Sequence, residues 1–151
     1  MIRPMGAASN HHDHRLRVRY AETDQMAVVH HANYLLYFEE SRTCLMRDRG
    51  CSYADLERRG IGLPVRRLEL RFRQPALYEE ELVIRTRVGK LGAASVVFES
   101  EVLRASDETV LATGWVELAC IDLENRARGP IPLPEDLRGL RAGGDGGRGE
   151  Q

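Results

Sequence analysis

From Arg67 to Val102 apolar and polar positions alternate along the chain. Leu68, Leu70 and Phe72 interleave with Arg67, Glu69, Arg71 and Arg73, and Leu82, Ile84, Thr86 and Val88 interleave with Val83, Arg85 and Arg87. After the turn residues Gly89-Lys90-Leu91-Gly92 the same period carries Val96, Phe98, Ser100 and Val102. A period of two puts the apolar side chains on one face of an extended strand. Residues 109–122 are apolar at almost every position, as in a strand covered on both faces. Long strands joined by short turns predict antiparallel pairing, and Leu16–Tyr20 predicts one more strand near the start.

One long segment breaks this period. From Asn33 to about Arg49, Tyr34, Leu35, Tyr37, Phe38, Ser41, Cys44, Leu45 and Met46 share one arc of a helical wheel. That arc is roughly 200° wide, against the ~100° stripe of a helix resting on one surface, so the helix is predicted to be wrapped. Glu39, Glu40, Thr43 and Arg47 occupy the remainder, with Leu36 the apolar exception. Gly50 supplies the usual stop. A second, short helix is predicted from Ser52 to Arg59, closed by Gly60. The predicted order is β-α-β-β-β-β. A 17-residue helix is ~25 Å long and strands of 8–10 residues span ~26–34 Å. The expected fold is therefore α+β, a curled antiparallel sheet of about five strands around one long central helix. The doubly apolar last strand predicts that another subunit covers its outer face.

Composition narrows the class. A chain of 151 residues with 42% hydrophobic and 30% charged residues fits one globular domain, placed at residues 15–140. Residues 1–14, with the run His11-His12-Asp13-His14, are expected to form a polar lead-in, though the histidines could hold a metal. The glycine-rich residues 141–151 are expected to form a tail. The net charge of -1 gives no general attraction to nucleic acid or acidic membrane, and Lys90 is the single lysine among 22 basic residues. Three cysteines without CxxC spacing argue against a disulfide framework or a cysteine zinc site. No apolar run reaches the ~20 residues of a membrane span, and the start lacks the apolar core of a secretory signal. A cytoplasmic location is expected.

The candidate chemistry lies where the helix begins, in Tyr20-Ala21-Glu22-Thr23-Asp24-Gln25-Met26-Ala27-Val28-Val29-His30-His31-Ala32-Asn33-Tyr34. The first turn of a helix carries unpaired N–H groups and the positive end of its dipole. Backbone donors from Val29 to Ala32 could therefore stabilise a developing oxyanion, with Asp24 supplying a carboxylate to attack or to hold water. Read without further context, Asp24 fits an N-terminal cap or loop-stabilising carboxylate better than a catalytic one, and His30 a packing or surface histidine. No Gly-x-Ser-x-Gly elbow and no phosphate-binding loop is present.

The pattern Arg19-Tyr20-x-x-Thr23-Asp24-x-x-x-Val28-Val29-x-His31-x-x-Tyr34-x-x-Tyr37-Phe38-Glu39-x-x-Arg42 resembles the hotdog-fold acyl-CoA thioesterases. Within them it is similar to the 4-hydroxybenzoyl-CoA thioesterase family, in the branch found near the Tol-Pal cell-envelope system. The resemblance covers roughly residues 15–135, including Gly89-Lys90-x-Gly92-x-x-Ser95, Asp122 and Pro130-Ile131-Pro132. It implies an acyl-CoA thioesterase in which Asp24 is catalytic and His31 accompanies it, orienting water, protonating the departing thiolate or touching substrate. No metal or other cofactor is implied; coenzyme A enters as part of the substrate. Tyr34, Lys90 and Ser95 are the expected substrate contacts, with Arg104 a further candidate for the phosphates of CoA. A homodimer or homotetramer is implied, with CoA lying across a subunit interface. Two places depart from the family pattern. Many relatives have glycine where Met26 or Ala27 stands, and many have an aromatic where His30 stands. The competing readings are a 3-hydroxyacyl-thioester dehydratase of the same fold, with Glu39 or Glu40 as a helical acid, and a non-enzymatic acyl-CoA-binding module.

Overall fold

The computed structural model describes residues 10–142. Its strands are β1 (His11–Arg17), β2 (Ile61–Gly62), β3 (Val65–Phe72), β4 (Glu81–Leu91), β5 (Ser95–Arg104), β6 (Val110–Ala119) and β7 (Ile121–Asp122). Its helices are α1 (Asn33–Asp48), α2 (Tyr53–Arg58) and the single turn α3 (Glu135–Arg138). Five strands form one antiparallel sheet in the order β1-β4-β5-β6-β3, and β2 pairs with β7 apart from it.

The alternation read in β4 and β5 buries one face as a period of two requires, whereas in β3 Leu68 and Phe72 stay exposed and Leu70 is half-buried. Leu82, Ile84, Thr86 and Val88 turn toward the core and are buried. Arg85 and Arg87 point to the other face, where Arg85 Nε meets Asp13 at 2.7 Å and Arg87 Nε meets Glu99 at 2.7 Å. The expected turn at Gly89–Gly92 falls later: β4 continues to Leu91 through a register shift after Val88.

The first strand differs from its expected span of Leu16–Tyr20. It starts at His11 and ends at Arg17, so His11–His14 belong to the sheet and not to a lead-in. Pairing with β4, from His11 opposite Arg87 to Arg17 opposite Glu81, fixes this edge strand. Its polar side chains find partners instead of a core: His14 Nε2 lies 2.8 Å from Glu40 of α1. Residues 1–9 of the expected lead-in, and the tail beyond Ala142, lie outside the described residues. The final apolar run divides: β6 ends at Ala119, and β7 turns away to pair with β2. Glu117 on β6 is buried and held by Arg66 and Arg67.

Helix α1 has 16 residues and buries Tyr34, Tyr37, Phe38, Ser41, Arg42, Leu45 and Met46, the i, i+3, i+4, i+7 stripe of a helix lying on one surface. Leu36, Glu39, Glu40 and Arg47 are exposed. The expectation of a helix wrapped all round is thus not met within one chain; Leu35 and Cys44 sit at the margin of the stripe, half-buried. The helix closes on Gly50 (φ 85°), with Gly50 N–H donating to Arg47 and Cys51 N–H to Met46, the paired bonds of a left-handed glycine stop. Ser41 Oγ, Thr86 Oγ1 and Ser100 Oγ form a buried chain of 2.8 Å hydrogen bonds between α1, β4 and β5. Phe38 seats the helix over Gly114 of β6, where no side chain stands in its way.

Candidate functional site

Between β1 and α1 the chain forms a tight hairpin. Asp24 N–H donates to Val28 O at 2.9 Å, and Ala27 N–H donates back to Asp24 O at 2.9 Å. The three residues Gln25, Met26 and Ala27 make the loop, with Ala27 left-handed at φ 66°, a geometry usually given to glycine. Asp24 Oδ1 accepts from Met26 N–H at 2.8 Å, so one oxygen of this carboxylate holds the loop. Its Oδ2 has no hydrogen-bond partner among the described residues. A left-handed alanine costs about 1–2 kcal/mol, partly offset by the extra freedom glycine has when unfolded. Ala27→Gly is therefore expected to raise the melting temperature by about 2–4 °C, the equivalent of ~1 kcal/mol. A melting curve that stays put would show that the loop stores no strain there.

The hairpin is tied down on two sides. Val28 bridges to Leu77, and Val29 N–H donates to Ala76 O at 2.9 Å. On the other side Glu22 acts as a clamp, a role its sequence context gave no sign of. Its Oε1 accepts from Tyr37 OH at 2.8 Å and from Arg19 N–H at 3.0 Å, and its Oε2 from Arg19 Nε at 3.0 Å. Its carbonyl takes the His30 N–H at 2.8 Å and Asn33 Nδ2 at 2.9 Å. Burial pushes the Glu22 carboxyl up, but the hydrogen bonds from Arg19 and Tyr37 outweigh it and hold it below the ordinary glutamate range. A carboxyl depressed on folding stabilises the protein above its unfolded pKa and loses that contribution as pH falls through the folded value. The Glu22→Gln variant should thus trail the wild type in urea midpoint at pH 7 and approach it in acid. A gap of equal size at both pH values would contradict the clamp.

At the mouth of α1 the first-turn donors are mostly spoken for. Val29 and His30 donate to Ala76 and Glu22, while Asn33 and Tyr34 donate to the carbonyls of His30 and His31. Ala32 N–H donates to His30 Nδ1 at 3.2 Å. Among Val29 to Ala32, the N–H of His31 alone has no partner among the described residues. The His30 and His31 rings stack, with centroids 4.2 Å apart and planes 28° from parallel.

Asp24, His31 and Tyr34 line one cleft of about 310 Å³, walled by Val29, Phe72 and Pro75. Tyr34 is buried and meets the Phe72 ring edge-on at 5.2 Å. Asp24 also borders a larger hollow of about 720 Å³ on the other side of the hairpin, between Tyr20 and Tyr78. Arg73 lines the first cleft and has no ion-pair partner among the described residues. In sequence nothing separates it from Arg67 and Arg71, which both pair with glutamates.

The other expected contacts lie elsewhere. Lys90 is exposed at the far end of β4 and Ser95 opens β5. The Asp24 hairpin sits by Ala76 and Leu77, just before β4 begins, so the length of that strand, about 30 Å, separates them within one chain. Arg104 is committed to Glu80 at 2.8 Å. Glu39 is exposed and Glu40 pairs with His14; neither lines the cleft. Cys51 is buried, and burial together with Asp136 pushes its thiol up to about 12, which removes it as a nucleophile at neutral pH. Among the described residues no group of three or more His, Cys, Asp or Glu side chains is placed to hold a metal ion, and no helix is long and apolar enough to cross a membrane.

Residues 18–139 match the thioesterase-like superfamily. The chain belongs to that superfamily. This thioesterase is 35% identical over 110 residues to YneP of Bacillus subtilis, to which acyl-CoA thioesterase activity is ascribed, covering 73% of this chain and 79% of YneP. It is 30% identical over 107 residues to the acyl-CoA thioester hydrolase YbgC of Escherichia coli O157:H7, covering 71% and 79% of the two chains. Among solved structures, the DHNA-CoA thioesterase of Staphylococcus aureus superposes with a TM-score of 0.81 at 30% identity, covering 93% of this thioesterase and 94% of that chain. With its five-stranded antiparallel sheet and few helices, the thioesterase has the hotdog fold of its family.

Proposed function

We propose that the chain hydrolyses acyl-CoA thioesters in the cleft between Asp24 and the first turn of α1, giving a free acid and CoA thiol. The observation that carries this reading is the convergence of Asp24, His31 and Tyr34 on one apolar-walled cleft, with Asp24 Oδ2 and the His31 N–H both left without a protein partner. The thioester carbonyl oxygen accepts from the His31 N–H, at the positive end of the helix, where oxyanion charge is stabilised as it develops. The Asp24 carboxylate attacks the carbonyl carbon or takes the proton of an attacking water. The leaving thiol has a pKa near ~8.5 and departs with little acid assistance, so His31 is sufficient as its neighbour. The acyl group occupies the walls formed by Val29, Tyr34 and Phe72, and Arg73 is the cation that the cleft offers to the phosphates of CoA. The absence of Glu39 and Glu40 from the cleft favours hydrolysis over dehydration, which needs an acid facing the acyl α-carbon.

A second copy of the chain completes the site in this reading. β3 is a free sheet edge with seven of its eight residues exposed, among them Leu68 and Phe72 at 42% and 53%. His30, His31 and Leu36 are exposed as well. An uncovered apolar edge strand invites pairing, and a homodimer, or a tetramer of two such dimers, covers it. Lys90 or Ser95 can contact CoA only from such a partner. Thiol release from short, long and aromatic CoA esters tests the activity, and light scattering on the same sample tests the assembly. Turnover of at least one ester class and a mass of twice 17.1 kDa or more are expected; no thiol release across the panel defeats the hydrolase reading, and a monomer defeats the partner.

A further inference from the structure

The two adjacent histidines are held in different ways. His31 lines the cleft, yet its ring has no hydrogen bond or ion pair among the described residues; its ring contact is with His30. His30 is fixed at three points. Its N–H donates to Glu22 O at 2.8 Å, its carbonyl accepts from Asn33 N–H at 2.9 Å, and its Nδ1 accepts from Ala32 N–H at 3.2 Å. The last bond requires an unprotonated Nδ1, which puts the ring proton of neutral His30 on Nε2. The ring so fixed is a flat wall, and His31 lies against it at 4.2 Å.

We propose that His30 is a positioning residue that holds the His31 ring over the cleft through the stacked ring faces. The proposal rests on the thioesterase reading of that cleft. An exposed imidazole with no other partner samples several side-chain rotamers; the His30 face selects one of them. The Ala32 N–H bond serves the same end by fixing the wall itself. It also withdraws the Ala32 donor from substrate, leaving the His31 N–H as the donor the first turn presents. Histidine thus combines two separable properties at position 30, a flat ring and an acceptor two residues before a helix-entry N–H.

Two substitutions separate them. His30→Phe keeps the ring face and loses the acceptor; His30→Asn keeps an acceptor for Ala32 and loses the ring. Misplacing a catalytic group by about 1 Å can cost ~10²-fold. For loss of one ring contact on the surface, His30→Asn is expected to lower kcat about 10-fold with KM within about twofold, the signature of lost transition-state interaction. His30→Phe should recover kcat to within about threefold of the wild type. In a double-mutant cycle His30→Asn should add nothing to His31→Ala, because its effect runs through that ring. A full independent loss in the His31→Ala background, or a His30→Phe variant as slow as His30→Asn, would overturn the proposal. NMR gives a readout that does not depend on turnover. The His31 ring protons should carry a ring-current shift in the wild type and in His30→Phe and lose it in His30→Asn. If the wild type releases no thiol from any CoA ester, the thioesterase reading fails, and the shift alone decides the stack: unchanged in His30→Asn, it overturns the positioning role too.

Discussion

Asp24→Asn is expected to lower kcat for CoA-ester hydrolysis by about 10²–10⁴-fold, the range for a lost proton-transfer group, while the protein folds and melts as before. The substitution suits the local geometry. An asparagine Oδ1 still accepts from Met26 N–H, the bond that Asp24 makes at 2.8 Å, and the backbone bonds from Asp24 to Val28 and from Ala27 to Asp24 do not involve the side chain. What disappears is the negative charge on the oxygen that faces no protein donor. Asp24→Ala would confound two effects, because it also removes the loop bond, typically about 1 kcal/mol. Steady-state kinetics beside a thermal melt separates them. An Asp24→Asn enzyme with undiminished turnover would reduce this carboxylate to a loop brace.

Gly114→Ala is expected to be the most damaging small change to the fold. A methyl group there would run into the backbone oxygen of Glu69, with Leu70 Cδ2 and Phe38 Cε2 each 2.9 Å away. Gly114 stands between Ser100 of β5 and Leu70 of β3 in the sheet, so relief means opening the β3–β6 pairing or lifting Phe38. Overpacking of this kind costs about 3 kcal/mol, a large share of the ~5–15 kcal/mol that holds a domain of this size. A fall of about 10 °C in melting temperature follows at ~2–4 °C per kcal/mol. Because Phe38 belongs to α1, the helix that opens beneath His31, activity should fall with stability. A variant that melts with the wild type would mean that β3 or Phe38 yields freely.

The residues that bury apolar surface were legible in the sequence, and those that bind through polar bonds mostly were not. The period of two marked β3, β4 and β5 as strands, but only β4 and β5 bury a face on the core of one chain, while β3 is exposed at seven of its eight residues. The span of α1 was readable from its apolar arc and Gly50. β1 escaped notice from His11 to His14 because an edge strand is specified by its neighbour, and its side chains find polar partners in Asp48, Glu40 and Arg85. The break after Ala119 was invisible because a nearly continuous apolar run carries no period to interrupt. The breadth of the α1 arc suggested enclosure, whereas one chain covers a single stripe of it. In the site, Asp24 and His31 were marked by the family resemblance and Tyr34 by its place near the helix start, and they do meet in one cleft. Lys90 and Ser95 were chosen as polar residues at a turn, and sequence spacing says nothing about which end of a sheet a turn occupies. Glu22 and His30 work through backbone partners brought together by the hairpin, and no pattern of residue types announces that.

The most direct test is a crystal structure of the Asp24→Asn variant holding an intact acyl-CoA ester. The thioester carbonyl oxygen should lie about 3 Å from the His31 backbone nitrogen, with its carbon facing the side chain at position 24 and the acyl group against Tyr34 and Phe72. An ester bound with its carbonyl away from the first turn of α1 would contradict the assignment of both groups.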